Sequence, residues 1–246
     1  MRRKIILVLI LLVLPVVVWG DEYVLVMSKE DNVCQHMLGL YNEDLRKYGK
    51  IQYDEHEAFT VIKWEEKKYY TTYPDGKKHY PMSLPDTVLI SKFDINNDGK
   101  EELVVKDTVP VRGRPSESLY YLKNEDSVYF KDDEVDVKIL YDKATGAVGT
   151  GAGGAFKANV YFLKKLPPFG IRDIEPFKGH LRYYSLGGWF ILNPFVFKKA
   201  YYISMMDNDP SENKKFLVIL KYSKDNQLKD ICYYLKTLDC KNKGGN

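Results

Sequence analysis

Leu89-Ile90-Ser91-Lys92-Phe93-Asp94-Ile95-Asn96-Asn97-Asp98-Gly99-Lys100-Glu101-Glu102-Leu103-Val104-Val105 reads as strand, acidic turn and strand in one short run. The flanks, Leu89 to Phe93 and Leu103 to Val105, are β-branched and aromatic. Between them lies a polar stretch containing glycine, and that combination signals a β-hairpin. No amphipathic helical pattern adjoins the turn on either side. The hairpin sets the expectation for the whole chain, a sheet-forming protein.

Within the turn, oxygen-bearing side chains fall at loop positions 1, 3, 5 and 9, as Asp94, Asn96, Asp98 and Glu102, with Gly99 at position 6. Calcium takes six to eight hard oxygen ligands, and this spacing wraps side chains around one point. Lys100, at position 7, is expected to ligate through its backbone carbonyl, which Gly99 aims inward. An EF-hand would carry a bidentate Glu at position 12, where this chain has Val105. The pattern D-x-N-x-D-G-x-x-E-L-V-V resembles the calcium hairpin of FG-GAP and VCBS repeats, found in integrin-type propellers and many secreted bacterial proteins. The resemblance covers roughly residues 90–105 and occurs once, with Glu102 where those repeats usually have Asp. It implies calcium binding and a hairpin, not a complete propeller. An acidic turn that binds nothing has the same composition.

Outward from the hairpin, strand signals dominate. They fall over 58–64, 67–73, 87–93, 103–106, 119–130, 135–141, 159–163, 189–192, 200–205, 216–222 and 231–235, the last two forming a hairpin around 223–226. Residues 146–154 and 166–188 read as excursions rich in Gly and Pro. One helix interrupts the pattern over about 28–48. Ser28 is its expected N-cap with Asp31 three residues on, and Gly49 its stop. Cys34, Leu38, Tyr41, Leu45 and Tyr48 form its apolar stripe, widened by Val33, Met37 and Leu40. The fold class expected is mainly β, antiparallel with many short strands and one N-terminal α-helix, as a single domain over 21–246; α+β is the neighbouring class.

The amino terminus reads as an export signal. Met1-Arg2-Arg3-Lys4 precedes an apolar run over 5–19, and Val18 and Gly20 suit positions −3 and −1 of a cleavage site. The run is shorter than a spanning helix needs, and Asp21 and Glu22 end it. Cleavage after Gly20 is expected, with no membrane anchor afterwards and a secreted or periplasmic destination. Three of the 37 Lys+Arg and none of the 34 Asp+Glu lie in 1–20, so the remainder carries 34 of each sign. That balance gives no electrostatic case for nucleic acid. In an oxidising compartment, Cys34, Cys232 and Cys240 allow one disulfide and one free thiol. The short spacing of Cys232 and Cys240 favours a local bridge with Cys34 buried and free; a bridge from Cys34 to the C-terminal region is the other arrangement.

Catalytic patterns are sparse. The four His lack zinc spacing, and there is no G-x-S-x-G. Gly149-Thr150-Gly151-Ala152-Gly153-Gly154 matches G-x-G-x-x-G, but the stretch from Phe156 to Leu163 reads as strand where a dinucleotide site needs a helix. Asp54-Glu55-His56-Glu57 reads as a solvated charged run. No catalytic or cofactor-binding residue is singled out. The expectation is an exported, calcium-stabilised, non-enzymatic binding or inhibitory protein of the bacterial envelope or extracellular space. Its 20 Tyr, and the two Trp left after cleavage, would serve as anchors for a protein or glycan partner. The alternative is a secreted hydrolase of cell-wall or glycan substrates.

Overall fold

A computed structural model describes residues 21–72, 75–79, 87–111, 114–122, 134–136, 144–149, 190–207, 216–222 and 228–237. The apolar run over 5–19, the excursion over 166–188, the strand signal at 159–163, the loop 223–226 and Cys240 lie outside these residues. The architecture is mainly β and almost wholly antiparallel, with one long helix.

Five strands form the first sheet in the order β1 (Glu22–Ser28), β12 (Leu228–Thr237), β11 (Phe216–Tyr222), β10 (Ala200–Asp207) and β9 (Phe190–Phe197). The second sheet runs β3 (Lys78–His79), β2 (Glu65–Thr72), β4 (Thr87–Phe93), β5 (Glu102–Val111), β6 (Arg114–Leu122) and β8 (Ala144–Gly149). β7 (Glu134–Asp136) pairs with β2 in parallel. Strand β11 shows how the layers are built. Phe216, Val218, Leu220 and Tyr222 join Phe93, Ile95, Val104, Leu119 and Tyr121 between the two sheets. Leu217 and Ile219, on the opposite face, pack with the helix α1 (Asp31–Tyr48). An unbroken apolar strand is what a sheet covered on both faces requires. At least eight tyrosines, including Tyr41, Tyr121, Tyr233 and Tyr234, are core residues rather than surface anchors.

The helix stripe is narrower than the sequence suggests. Val33, Cys34, Met37, Tyr41 and Asp44 are buried, Leu38 and Leu45 half-buried, and Tyr48 exposed. Gly49 ends the helix with φ +70° and donates its N–H to the Leu45 carbonyl. Ser28 is not the N-cap: it closes β1, and its hydroxyl donates to the Asp31 carboxylate. Strand β1 itself escapes the sequence reading. The 58–64 signal is also corrected, because a short helix α2 (Glu57–Thr60) stands there and β2 begins only at Glu65. Phe59 and Ile62 are buried while Val61 is exposed, so burial follows helical spacing rather than alternation. Gly146 to Gly149 belong to β8, not to an excursion; pairing with β6 overrides their turn propensity.

The cysteines correct the local bridge. Cys34 on α1 is bonded to Cys232 on β12, across a sequence separation of 198. Cys34 is buried, as its place on the apolar stripe requires, but it is not free. Each outer edge of the first sheet carries a side-chain cap at one residue. Asn42 accepts the Tyr23 N–H and donates to the Tyr23 carbonyl, at 2.7 and 2.9 Å. At the other edge Glu117 accepts the Leu192 N–H at 2.6 Å while paired with Lys106 at 3.0 Å. No helix among the described residues is long and apolar enough to cross a membrane.

Candidate metal centre

The β4–β5 hairpin holds the acidic loop at the rim between the two sheets. Phe93, the last residue of β4, stacks on Tyr201 with ring centroids 5.1 Å apart and meets Trp64 edge-on. Ile95, at loop position 2, is buried in the core between the sheets. That side chain anchors the loop from beneath, with Asp94 half-buried and Asp98 exposed above it.

Backbone N–H groups orient the acids. Asp94 accepts from the N–H of Asp98 at 2.8 Å and of Gly99 at 2.9 Å. The carbonyl oxygen of the Asn96 side chain shares the Asp98 N–H at 2.9 Å, and Asp98 in turn accepts from the Lys100 N–H at 2.9 Å. Glu102, the first residue of β5, reaches back to accept the Ile95 N–H at 3.1 Å. Two residues hold left-handed backbone, Asn97 at φ 60° and Gly99 at φ 94°. At Gly99 a side chain would be strained whatever the space around it.

Of the five residues singled out from sequence, Asp94, Asp98 and Glu102 are brought together, with one carboxylate oxygen from each lying within 4.8 Å of the others. Asn96 is buried at the same turn and donates to Asp98 at 3.3 Å. Lys100 contributes its N–H to Asp98, and the residue is exposed. Three like charges at this separation oppose one another. Burial, then the Asp98 and Asp94 charges, push the Glu102 carboxyl up to about 7, against the N–H groups of Asn96 and Ile95 that favour its ionised form. A divalent cation reverses that logic by favouring all three ionised acids. The donor set is oxygen only, which suits calcium or magnesium rather than zinc or copper.

Asn97 is the residue the sequence reading missed. Its side-chain oxygen accepts the Tyr201 N–H at 2.8 Å, and its amide nitrogen lies 3.1 Å from the Tyr201 carbonyl and 3.3 Å from the Tyr222 carbonyl. A local signal existed, since Asn tolerates left-handed backbone better than most residues. Its partners stand more than a hundred residues away, where no spacing rule reaches.

The other motifs resolve differently. His56 bonds the buried Asp44 at 2.8 Å, and the same Asp44 oxygen accepts the Gln52 N–H at 2.7 Å. This pair ties the end of α1 to the turn beyond it. The glycine run keeps only Gly149 inside the described residues, as the last residue of β8. Comparison with protein-family models, curated proteins and solved structures finds no match, and the loop is therefore read from its own chemistry.

Proposed function

We propose that this protein is an exported, non-enzymatic binding or inhibitory module whose β4–β5 hairpin takes one calcium ion as a structural element. The observation that carries the proposal is the convergence of Asp94, Asp98 and Glu102 on one point, in a loop anchored by Ile95 and Asn97. The three carboxylates and Asn96 supply side-chain oxygens, and Lys100 would add its carbonyl. The ion supplies charge neutralisation, while the chain's own N–H groups and Gly99 hold the ligands in place. Export is supported by the Cys34–Cys232 bond, since such bonds persist in oxidising compartments, and by the signal-like run over 1–20. The partner class proposed is protein or glycan.

Extracellular calcium modules bind with Kd of ~10⁻⁴–10⁻³ M. At calcium ten times Kd, linkage gives roughly 1.4 kcal/mol, a rise of a few degrees in melting temperature for a chain of this size. The test is thermal melting in calcium, in magnesium and in chelator. Asp94→Ala and Asp98→Ala are expected to abolish the calcium-dependent rise, whereas Lys100→Ala keeps it. Identical wild-type curves in calcium and chelator would reduce the loop to an acidic turn.

A further inference from the structure

We propose that Asn97 replaces a missing rung of the first sheet, and that through it cation binding in the loop sets the order of the β10–β11 end. Strands β10 and β11 pair from Ile203↔Leu220 to Met206↔Leu217. Continuing that register by two residues would set Tyr201 opposite Tyr222, yet the ladder stops short of them. The Asn97 carboxamide stands in the gap, bonded to the Tyr201 N–H and carbonyl and to the Tyr222 carbonyl. A side-chain amide carries the same donor and acceptor as a peptide group, so it completes a ladder without a third strand.

The loop gains from the arrangement as much as the sheet does. Asn97 lies between ligand candidates Asn96 and Asp98 in left-handed backbone, and its side chain bonds Tyr201 and Tyr222 while the Asn96 side chain donates to Asp98. Releasing Asn97 from the sheet therefore disturbs the turn that orients Asp94 and Asp98, and disordering that turn releases the rung. Two segments that open together share one opening equilibrium, and a ligand that needs the closed form shifts both. Lys198 of the β9–β10 turn, with Ala200, Tyr202 and the start of α1, lines a recess of about 330 Å³.

This inference rests on the cation reading, and the experiment separates the two. Amide exchange at the Tyr201 N–H reports the rung, while calorimetry reports calcium binding independently. Asn97→Gly removes the carboxamide and keeps the left-handed backbone, which limits folding damage; Asn97→Asp keeps the acceptor for the Tyr201 N–H. In wild type at calcium ten times Kd, Tyr201 exchange is expected to slow about tenfold, the factor 1 + [L]/Kd. In Asn97→Gly, calcium heat persists at weaker affinity, Tyr201 exchanges faster in chelator than in wild type, and calcium changes its rate by less than about twofold. Asn97→Asp should exchange at Tyr201 more slowly than Asn97→Gly. Calcium binding by wild type with no change at Tyr201 would overturn the coupling, as would an unchanged calcium response in Asn97→Gly. Absence of calcium heat in wild type is instead the failure of the cation reading; the rung itself is then decided by Tyr201 exchange in chelator, and equal rates in wild type and Asn97→Gly would sink it.

Discussion

Asp107 is a buried carboxylate outside the cation loop. It lies on β5 opposite Ser118 of β6, and among the described residues neither its Oδ1 nor the Ser118 hydroxyl has a hydrogen-bond partner. Burial pushes the carboxyl up to about 6, against one N–H from Thr108 that favours its ionised form. The folded value is raised above the unfolded one. The stability associated with the neutral acid is therefore fully present below about pH 4 and lost as pH rises through about 6. A carboxyl moved from 3.8 to about 6 corresponds to roughly 3 kcal/mol. Asp107→Asn is expected to gain stability relative to wild type across that window and to hold a constant difference above it. Urea midpoints at pH 4, 5, 6 and 7 check this, and parallel pH profiles for the two proteins would exclude it. At this scale the sequence was legible where chemistry is local: Asp94, Asp98 and Glu102 declare themselves by spacing. Asp107 and Asn97 do not, because one is defined by what surrounds it and the other by strands distant in the chain.

Among the described elements, the β9–β10 hairpin carries backbone strain at two positions. Ala200 pairs with Phe197 across a two-residue turn, and both turn residues, Lys198 at φ 48° and Lys199 at φ 66°, hold left-handed backbone. That geometry favours Asn-Gly, and an ordinary residue in it loses roughly 1 kcal/mol. Lys198→Asn with Lys199→Gly is expected to raise stability by about 0.5–1 kcal/mol, after the greater unfolded-state freedom of Gly is subtracted. A denaturant midpoint at or below the wild-type value would show that the two lysines make compensating contacts. Elements were readable where burial has a simple period. β4 and β11 match their sequence signals end for end, and the long helix starts three residues later than expected but ends where expected, at Tyr48 before Gly49. Reading failed at 58–64, where β-branched composition masks helical burial of Phe59 and Ile62. It failed again at β1, whose edge position shows only through its pairing with β12 and its capping by Asn42.

For the molecule as a whole, the bond between Cys34 and Cys232 closes nearly the entire described fold into one covalent loop. With a separation of 198 residues, the chain-entropy estimate is about 5 kcal/mol, near the upper end of what disulfides contribute. Replacing both cysteines with Ala is expected to lower unfolding stability by about 3–5 kcal/mol, read from urea denaturation. A loss below about 1 kcal/mol would mean that the helix is held by packing alone. Thiol counting on the denatured wild type should find one reactive group, Cys240. Mainly antiparallel architecture was evident from the turn and strand signals, but this closure was not: spacing favoured the neighbour at 240, and only the docking of α1 on β12 brings Cys34 to 232.

The same closure governs how the protein answers mechanical tension. Strand β1 pairs with β12 from Glu22↔Thr237 to Ser28↔Cys232, so force applied at the two ends peels the ladder rung by rung toward the bond. There the peeling stops, because Cys34 and Cys232 carry the load directly and the chain between them feels none of it. An oxidised molecule pulled by its ends extends only by its short tails. Once reduced, it can release roughly 700 Å more, at ~3.5 Å for each of the 198 enclosed steps.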